Sequence, residues 1–236
     1  MWPNRPAFCF PAVLLIINAL PNYRPLTSLT QEQCHQYIEK PHKYRAHRIT
    51  YRDPHTLDGL AITCAAIKSR HFFSHRTLYP KEILFPLAYV RLVYKDYLFL
   101  ESELAVSYSP QNIYCYAIDA KAPKVFHARL HALSACLPNV IVTRVEYRMD
   151  SEGHNGTRSM MECLRMITKH NWKYVFVLQN HDIQIKTNSE LIRILQLYNG
   201  TNDVQAYRQS IKRIQPGVNW SFKAMNLFKN GTYYHA

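Results

Sequence analysis

Short apolar runs and amphipathic stretches alternate along the chain from residue 85 onward. The apolar runs are rich in Val, Ile and aromatic residues, which predicts strands at Leu87–Tyr94, Asn112–Ile118, Asn139–Val145 and Tyr174–Leu178. The remaining stretches predict helices from Asp96 to about Ser107, from Pro123 to Cys136, from Thr157 to His170, and from Asn188 or Ser189 to Tyr198. This alternation predicts an α/β fold with a mostly parallel sheet, flanking helices and right-handed crossovers.

Two aspartates stand where predicted strands end. Asp119 follows the second strand, and Asp182 comes after the strand Tyr174–Leu178, which we expect to be buried. Because the carboxyl ends of parallel strands meet at one edge of a sheet, both carboxylates should face one crevice, where a nucleotide ribose or base could be held. Asp is also frequent in turns, so Asp182 could serve only to cap the turn after its strand.

The composition is that of a globular protein with a strongly basic balance. The chain has 236 residues, of which 47% are hydrophobic, enough for one large domain or two small ones with a real core. Its formal net charge of +13 favours polyanionic partners such as nucleic acid, an anionic membrane surface or a nucleotide diphosphate. The charge alone does not choose among these partners.

One basic segment raises a nucleic-acid alternative. His42–Arg52 interleaves Lys and Arg with two tyrosines, a composition that can bind single-stranded nucleic acid. We favour a solvated edge strand, because no known nucleic-acid motif accompanies the segment.

Motifs for other nucleotide or metal chemistry are missing from the sequence. There is no GxGxxG, no GxxxxGK[ST] and no DxD pair to hold a nucleotide-bound divalent ion. His127 and His131 stand four residues apart on a predicted helix, but Ala128 occupies the position where a zincin has its catalytic Glu. We interpret these two histidines, and likewise His71 and His75, as surface or packing residues, and we predict no metal site.

Cysteines and glycosylation motifs indicate the secretory pathway. The six cysteines form no CxxC pair, so they are either core thiols or disulfide partners. Four Asn-x-Ser/Thr motifs, at Asn155, Asn199, Asn219 and Asn230, favour a secreted or lumenal protein and hence disulfides. The apolar run Phe8–Leu20 is too short to span a bilayer, so we interpret residues 1–20 as a signal peptide or a short signal anchor.

Four separated segments together resemble one enzyme family. They are FPLAYVRLVYKDY (Phe85–Tyr97), SPQNIYCYAID (Ser109–Asp119), SACLPNVIV (Ser134–Val142) and NWKYVFVLQNHDIQIKTNSELIRIL (Asn171–Leu195). Their order and spacing are similar to those of the core-2/I-branching β-1,6-N-acetylglucosaminyltransferases, a family that also holds peptide xylosyltransferases. The CAAIKSR stretch at Cys64 fits as well, so the resemblance covers roughly residues 60–205.

The resemblance implies a Golgi membrane enzyme with a GT-A-like, Rossmann-like domain. Such enzymes transfer GlcNAc from UDP-GlcNAc to O-6 of a galactose-type acceptor on O-glycans, with inversion and without a metal or other cofactor. Asp119 matches the aspartate that contacts the uridine, the strand around Leu92 and Val93 matches the wall beside the nucleotide, and Asp182 matches the aspartate before the family's IKTN. A non-catalytic, secretory-pathway binding protein on the same half-fold is the alternative.

The resemblance also implies the disulfides and the division of the chain. It pairs Cys64 with Cys136 and Cys115 with Cys163. We expect a stem and pre-domain segment at 21–84, a nucleotide-binding half at 85–205 and an irregular or weakly helical tail at 206–236. In the family, the catalytic Glu and the basic residues at the diphosphate lie well beyond IKTN. We therefore assign no catalytic residue and expect a C-terminally truncated member with little or no activity alone.

Overall fold

The computed structural model of the protein describes residues 52–77, 79–151, 153–203, 216–221 and 224. Its strands are β1 (Leu87–Val93), β2 (Ile113–Ile118), β3 (Val140–Val142) and β4 (Tyr174–Leu178). The helices are α1 (Cys64–Arg70), α2 (Tyr97–Ser107), α3 (Lys124–Cys136), α4 (Gly156–Ile167) and α5 (Asn188–Tyr198), and a short 3-10 helix (Pro80–Leu84) precedes β1. The predicted alternation of strands and helices is therefore present, although β3 and α4 are shorter than the sequence suggested.

The four strands form one parallel sheet in the order β3-β2-β1-β4. Strand β1 lies in the interior, where Val90 faces Cys115 of β2 on one side and Val177 of β4 on the other. The chain moves outward from β1 to β3 and then returns to the opposite side of β1. The strand order thus reverses between β1 and β4, and an open α/β sheet has its ligand crevice at such a point, outside the carboxyl ends of the strands.

Each face of the sheet carries its own apolar layer, because successive side chains of a strand point to opposite faces. Tyr89 and Val93 of β1 belong to the layer that includes residues of α2, α3 and α5. Ala88, Val90 and Leu92 belong to the opposite layer, packed with residues of α4. Helices therefore cover both faces, and the carboxyl edge of the sheet is left as the place for a site.

Two cysteine pairs connect the helices to the rest of the fold. Cys64 of α1 is paired with Cys136 of α3, and Cys115 of β2 is paired with Cys163 of α4. This is the pairing that the family resemblance implied. The first pair joins the segment before the sheet to the α3 layer, and the second fixes α4 to the middle of the sheet. Cys9 and Cys34 lie outside the described residues.

Strand β4 is less buried than its composition predicted. Its side chains are mostly half-buried, and Val177 is 43% exposed. The physical reason is its position, because β4 pairs with β1 on one side and ends the sheet in the described part of the chain. The expectation of a buried strand was therefore wrong, although the strand itself was placed correctly.

Helix α2 receives its N-terminal cap from a distant residue. The sequence suggested Asp96, but Asp96 adopts a left-handed backbone (φ 60°) and makes no capping bond. Instead, the Asp53 carboxylate accepts hydrogen bonds from the backbone N–H groups of Tyr97 and Leu98, at 2.5 and 3.0 Å. These bonds satisfy two of the free N–H groups that begin a helix. Helix α5 is capped by Thr187, one residue earlier than predicted.

A buried ion pair also ties the pre-domain segment to α2. Arg70 at the end of α1 donates to both oxygens of Glu101, at 2.7 and 2.8 Å, and the Nε2 atom of His71 lies 3.1 Å from Oε1. Glu101 is fully buried. Burial raises its pKa, but the hydrogen bonds from Arg70 and His71 outweigh burial and lower the pKa to about 2.

Much of both chain ends lies outside the described residues. Residues 1–51, with the expected signal region and all of the basic segment except Arg52, lie outside the described residues, as does most of the tail. Residues up to 199 form one compact unit, and those from 200 belong to a second. In the second unit, 216–221 is exposed and Asn219 accepts a hydrogen bond from the Ser221 N–H. Among the described helices, none has the length and apolar character needed to cross a bilayer.

Candidate functional site

The carboxyl edge between β1 and β4 is organised by Asn180. This residue is 3% exposed, and its Oδ1 atom accepts hydrogen bonds from the backbone N–H groups of Tyr94 and Lys95, at 2.8 and 3.3 Å. Its Nδ2 atom donates to the Lys95 carbonyl at 3.1 Å. One buried amide therefore fixes the chain leaving β4 against the chain leaving β1. In the sequence, Asn180 stands out only as one of several polar residues after a strand, so its role was not predicted.

A buried ion pair also contacts the segment that follows β4. Arg91, in the otherwise apolar β1, donates through Nη2 to Glu103 of α2 at 3.0 Å and through Nη1 to the Asp182 carbonyl at 2.7 Å. Burial raises the pKa of Glu103 despite the neighbouring guanidinium. This pair was not predicted from the sequence, although a charged residue inside an apolar strand signals a buried partner.

Asp182 lies at the predicted edge, but its carboxylate turns back into its own turn. The Oδ2 atom accepts a hydrogen bond from the Gln179 N–H at 2.7 Å, and the residue is exposed. This is the turn-capping arrangement that the sequence left open. Asp182 also follows β4, whereas Asp119 follows β2, and β1 lies between those strands. A contact of Asp182 with a nucleotide stays a prediction.

Asp119 is held in place by backbone donors. It is 7% exposed, and its Oδ1 atom accepts hydrogen bonds from Lys121 N–H at 2.9 Å and Met149 N–H at 3.2 Å. Its Oδ2 atom lies 3.7 Å from the Lys121 ammonium. The residue also bridges to Tyr147, so two loops converge on this carboxylate at the carboxyl edge. Such an arrangement fixes a carboxylate that can accept hydrogen bonds from a polar ligand.

Leu92 and Val93 end β1 but face opposite layers. The Val93 side chain is fully buried in the α2 and α3 layer, and its carbonyl accepts the Asp119 N–H at 2.9 Å. Leu92 belongs to the α4 layer, with a terminal methyl close to Gly156. The Val93 side chain therefore has no exposed surface at this strand end, and its described link to Asp119 is through the backbone. A wall beside a nucleotide at Leu92 and Val93 stays a prediction.

The residues that directly follow β1 are exposed. Tyr94 is 45% exposed, and the Lys95 ammonium lies 5.3 Å from the centroid of its ring. The Nε2 atom of His181 lies 2.7 Å from the Asp96 carboxylate. The Lys95 ammonium thus lies over one face of the partly exposed Tyr94 ring, in a cation–π arrangement.

The glycosylation motifs occupy different surroundings. Asn199 is an exposed residue directly after α5, and Asn219 is also exposed. Asn155 directly precedes α4, and its side-chain amide donates to the Arg148 carbonyl at 2.9 Å. Asn230 lies outside the described residues. Modification at all four positions stays a prediction, with Asn199 and Asn219 the most accessible of those described.

Comparison with known proteins identifies one family over most of the described domain. Residues 87–234 match the family model described as Core-2/I-Branching enzyme. The chain is 28% identical over 187 residues to a human beta-1,3-galactosyl-O-glycosyl-glycoprotein beta-1,6-N-acetylglucosaminyltransferase 3, covering 78% of this chain and 42% of the relative. It is 30% identical over 177 residues to the human N-acetyllactosaminide beta-1,6-N-acetylglucosaminyl-transferase, covering 74% and 43%. A Danio rerio relative, beta-1,3-galactosyl-O-glycosyl-glycoprotein beta-1,6-N-acetylglucosaminyltransferase 4, is 29% identical over 73% of this chain and 41% of its own.

These matches agree with the fold, but they cover only part of each relative. The parallel four-stranded sheet with helices on both faces is consistent with a GT-A-like α/β domain. The chain spans about two fifths of the length of the relatives it matches. The activity and substrates of the whole relatives therefore come to this chain only as a proposal.

Proposed function

Because this chain belongs to the core-2/I-branching enzyme family, we propose that it binds a uridine diphosphate sugar at the carboxyl edge of its sheet. The proposed donor is UDP-GlcNAc, for transfer of GlcNAc in β-1,6 linkage to an O-glycan acceptor. The observation that carries this proposal is the position of Asp119, the residue that matches the family's uridine aspartate. It lies at the carboxyl edge, one strand from the point where the strand order reverses.

The buried environment of Asp119 supports a role in recognising the uridine. One oxygen accepts hydrogen bonds from two backbone N–H groups, while the described partner of the other is the half-exposed Lys121 ammonium, 3.7 Å away. That second oxygen can accept a hydrogen bond from an N–H or O–H of the nucleoside. A charged acceptor makes hydrogen bonds of roughly 1.5–3 kcal/mol, enough to discriminate between nucleosides.

The proposed chemistry is an inverting group transfer. The acceptor O-6 attacks the anomeric carbon, a carboxylate base takes the hydroxyl proton, and UDP leaves with both electrons of the broken bond. Cations must stabilise the charge that develops on the departing diphosphate. The formal net charge of +13 is compatible with side chains in that role, and the missing DxD pair supports donor binding without a metal ion.

The secretory pathway is the proposed location, with the Golgi membrane as the family's compartment. Two cysteine pairs at disulfide distance need an oxidising compartment to form and persist. The exposed motifs at Asn199 and Asn219 support the same location.

Calorimetric titration of the purified chain with UDP tests the proposal, with ADP as the comparison ligand. We expect UDP to bind, ADP to bind at least about tenfold more weakly, and chelation by EDTA to leave the UDP affinity unchanged. Absence of UDP binding would overturn the proposed site and leave a non-catalytic protein on the same fold. A large loss of UDP affinity on chelation would overturn metal independence alone.

A transfer assay addresses the activity separately. The chain is incubated with UDP-GlcNAc and a Gal-β1,3-GalNAc acceptor, and the products are analysed for β-1,6-linked GlcNAc. A parallel reaction with UDP-xylose distinguishes the two donor classes of the family. Branched product with UDP-GlcNAc would support the full proposal, whereas UDP binding without product would restrict this chain to donor binding.

A further inference from the structure

Three side chains with metal-binding atoms converge on the outer side of α3. His127 and His131 come from this helix, and Glu146 comes from the segment after β3. One ligand atom from each residue lies within 4.8 Å of those of the other two. The two imidazoles meet because residues four apart lie on the same face of a helix. The carboxylate is brought to them by the fold, from another element.

The distance between two of the three ligand atoms fits a bound ion. The Nδ1 atom of His127 lies 3.1 Å from Oε1 of Glu146. Ligands at about 2.0–2.1 Å from a tetrahedral zinc ion lie about 3.3 Å from each other. The pair therefore has nearly the separation of two ligands on one ion, and His131 is within reach to supply a third.

An ordinary hydrogen bond explains only part of this arrangement. It accounts for His127 and Glu146, and the helical spacing brings the exposed His131 to the same face, so that three potential ligand atoms surround one point. His71 and His75 have the same sequence spacing, but α1 ends at Arg70, so the two residues do not share a helical face. His71 pairs with the buried Glu101 instead, and these two belong to no ligand cluster in the described part of the chain.

We propose that His127, His131 and Glu146 bind one divalent transition-metal ion, with Zn²⁺ the chemically best-matched ion. Two imidazoles and one carboxylate suit zinc, whereas Mg²⁺ and Ca²⁺ prefer oxygen ligands. Three protein ligands leave a fourth position for water. The interpretation of the two histidines as surface or packing residues lacked Glu146, which only the fold brings to them.

The ion would join α3 to the segment that holds Asp119. Glu146 directly precedes Tyr147, whose carbonyl accepts the Ala120 N–H at 3.1 Å. Two residues further on, the Met149 N–H donates to Asp119. A metal ion at Glu146 thus fixes this segment without touching the Asp119 carboxylate. The proposal depends on no part of the proposed function, and the ion is structural, separate from the donor.

Zinc titration of the full chain, free of any polyhistidine tag and dialysed against chelator, tests the proposal. We expect one Zn²⁺ per chain by calorimetry, without UDP, and a rise in Tm that Mg²⁺ does not produce, because a ligand of the folded state stabilises it. His131→Gln should weaken zinc binding at least about tenfold, and Glu146→Gln similarly, because each removes one ligand. His75→Gln is the matched control, since it removes an exposed histidine outside the cluster and should leave the affinity unchanged.

Two further readouts make the outcome decisive. Cobalt substitution should give the visible absorption of a four- or five-coordinate ion, and at the same cobalt concentration His131→Gln should reduce this absorption. His131 is exposed, so circular dichroism of that variant should match the wild type and exclude misfolding as the cause. The proposal is overturned if no zinc binds, if binding survives His131→Gln combined with Glu146→Gln, or if His75→Gln weakens it equally.

Discussion

The side-chain oxygen of Asn180 accepts a hydrogen bond from the backbone N–H of Tyr94 at 2.8 Å, joining the exits of two adjacent parallel strands. Backbone N–H groups just beyond a strand end normally bond to water or to a turn. Here a buried amide takes that place for two successive residues and also donates to the Lys95 carbonyl. One side chain therefore fixes the backbone at the exit of β1 to the segment that follows β4.

Asn180→Ala should loosen the connection between the exits of β1 and β4. The substitution removes three part-buried hydrogen bonds to the backbone of Tyr94 and Lys95, so we expect the free energy of unfolding to fall by about 2 kcal/mol. UDP affinity should fall as well, since Tyr94 and Lys95 lose their support. Chemical denaturation and calorimetry measure the two effects. Gln179→Ala is the matched control, because that exposed side chain precedes Asn180 in the same turn, and equal effects of both variants would contradict the role assigned to Asn180.

Asp119→Asn should reduce UDP binding while preserving the fold. The amide keeps the shape and one acceptor oxygen for the two backbone donors but removes the charge. Loss of a charge-assisted hydrogen bond costs about 1.5–3 kcal/mol, so we expect a decrease in affinity of roughly 10- to 150-fold. Asp58→Asn changes the net charge equally at an exposed position and controls for long-range electrostatics. A UDP affinity of Asp119→Asn within a factor of two of wild type would exclude Asp119 from the site.

The buried Glu101 should make stability depend on acid pH. Its pKa in the fold is about 2, below the ordinary value of 4.5, so its stabilisation is complete above pH 4.5 and is lost as the pH falls toward 2. The shift corresponds to about 3 kcal/mol at neutral pH. Urea denaturation of the wild type and Glu101→Gln should therefore give a stability difference that is constant above pH 5 and narrows below pH 4.5. A difference independent of pH would show that the ion pair does not carry this effect.

The Cys115–Cys163 pair should be a native disulfide with a large effect on stability. Replacement of both cysteines by Ala should lower the free energy of unfolding by about 2–4 kcal/mol, because the crosslink restricts the unfolded chain. Non-reducing peptide mapping should recover peptides joined through Cys115–Cys163 and Cys64–Cys136. Recovery of these four residues as free thiols would contradict the pairing, and Cys64→Ala with Cys136→Ala provides the comparison for a pair nearer the surface.

The local sequence pattern predicted the helices and strands better than it predicted which of them lie side by side. The strands could be identified because short apolar runs of Val, Ile and aromatic residues are typical of buried or half-buried strands. The cap of α5 was missed by only one position, at Thr187. The pattern does not state which strands pair, so the same apolar composition made Tyr174–Leu178 look buried although it ends the sheet. Position in the sheet depends on packing of the whole chain, which a short window does not contain.

In the candidate site, too, the positions of residues at strand ends were predicted, whereas their contacts with other elements were not. Asp119 and Asp182 were expected at the carboxyl edge and lie there, because the end of a strand is visible in the sequence. The hydrogen bonds of Asn180 join residues that are 86 and 85 positions apart in the chain. The ion pair of Arg91 with Glu103 joins the successive elements β1 and α2, and Glu146 lies 19 residues after His127. Such side-chain contacts between elements follow from the fold, and the charge of Arg91 within an apolar strand is the one signal that could have indicated a buried partner.

The position of β4 has a consequence for the order in which the domain assembles. Strands β1, β2 and β3 follow one another with one helix between each pair, so their pairing closes relatively short loops. Strand β4 emerges last but must return to β1, across all the intervening elements. Closing that long loop is entropically the costliest step and slows folding. We therefore expect β4 to dock after the rest of the sheet, so that a ligand whose site includes the Tyr94 and Lys95 backbone held by Asn180 selectively stabilises chains that have completed this final step.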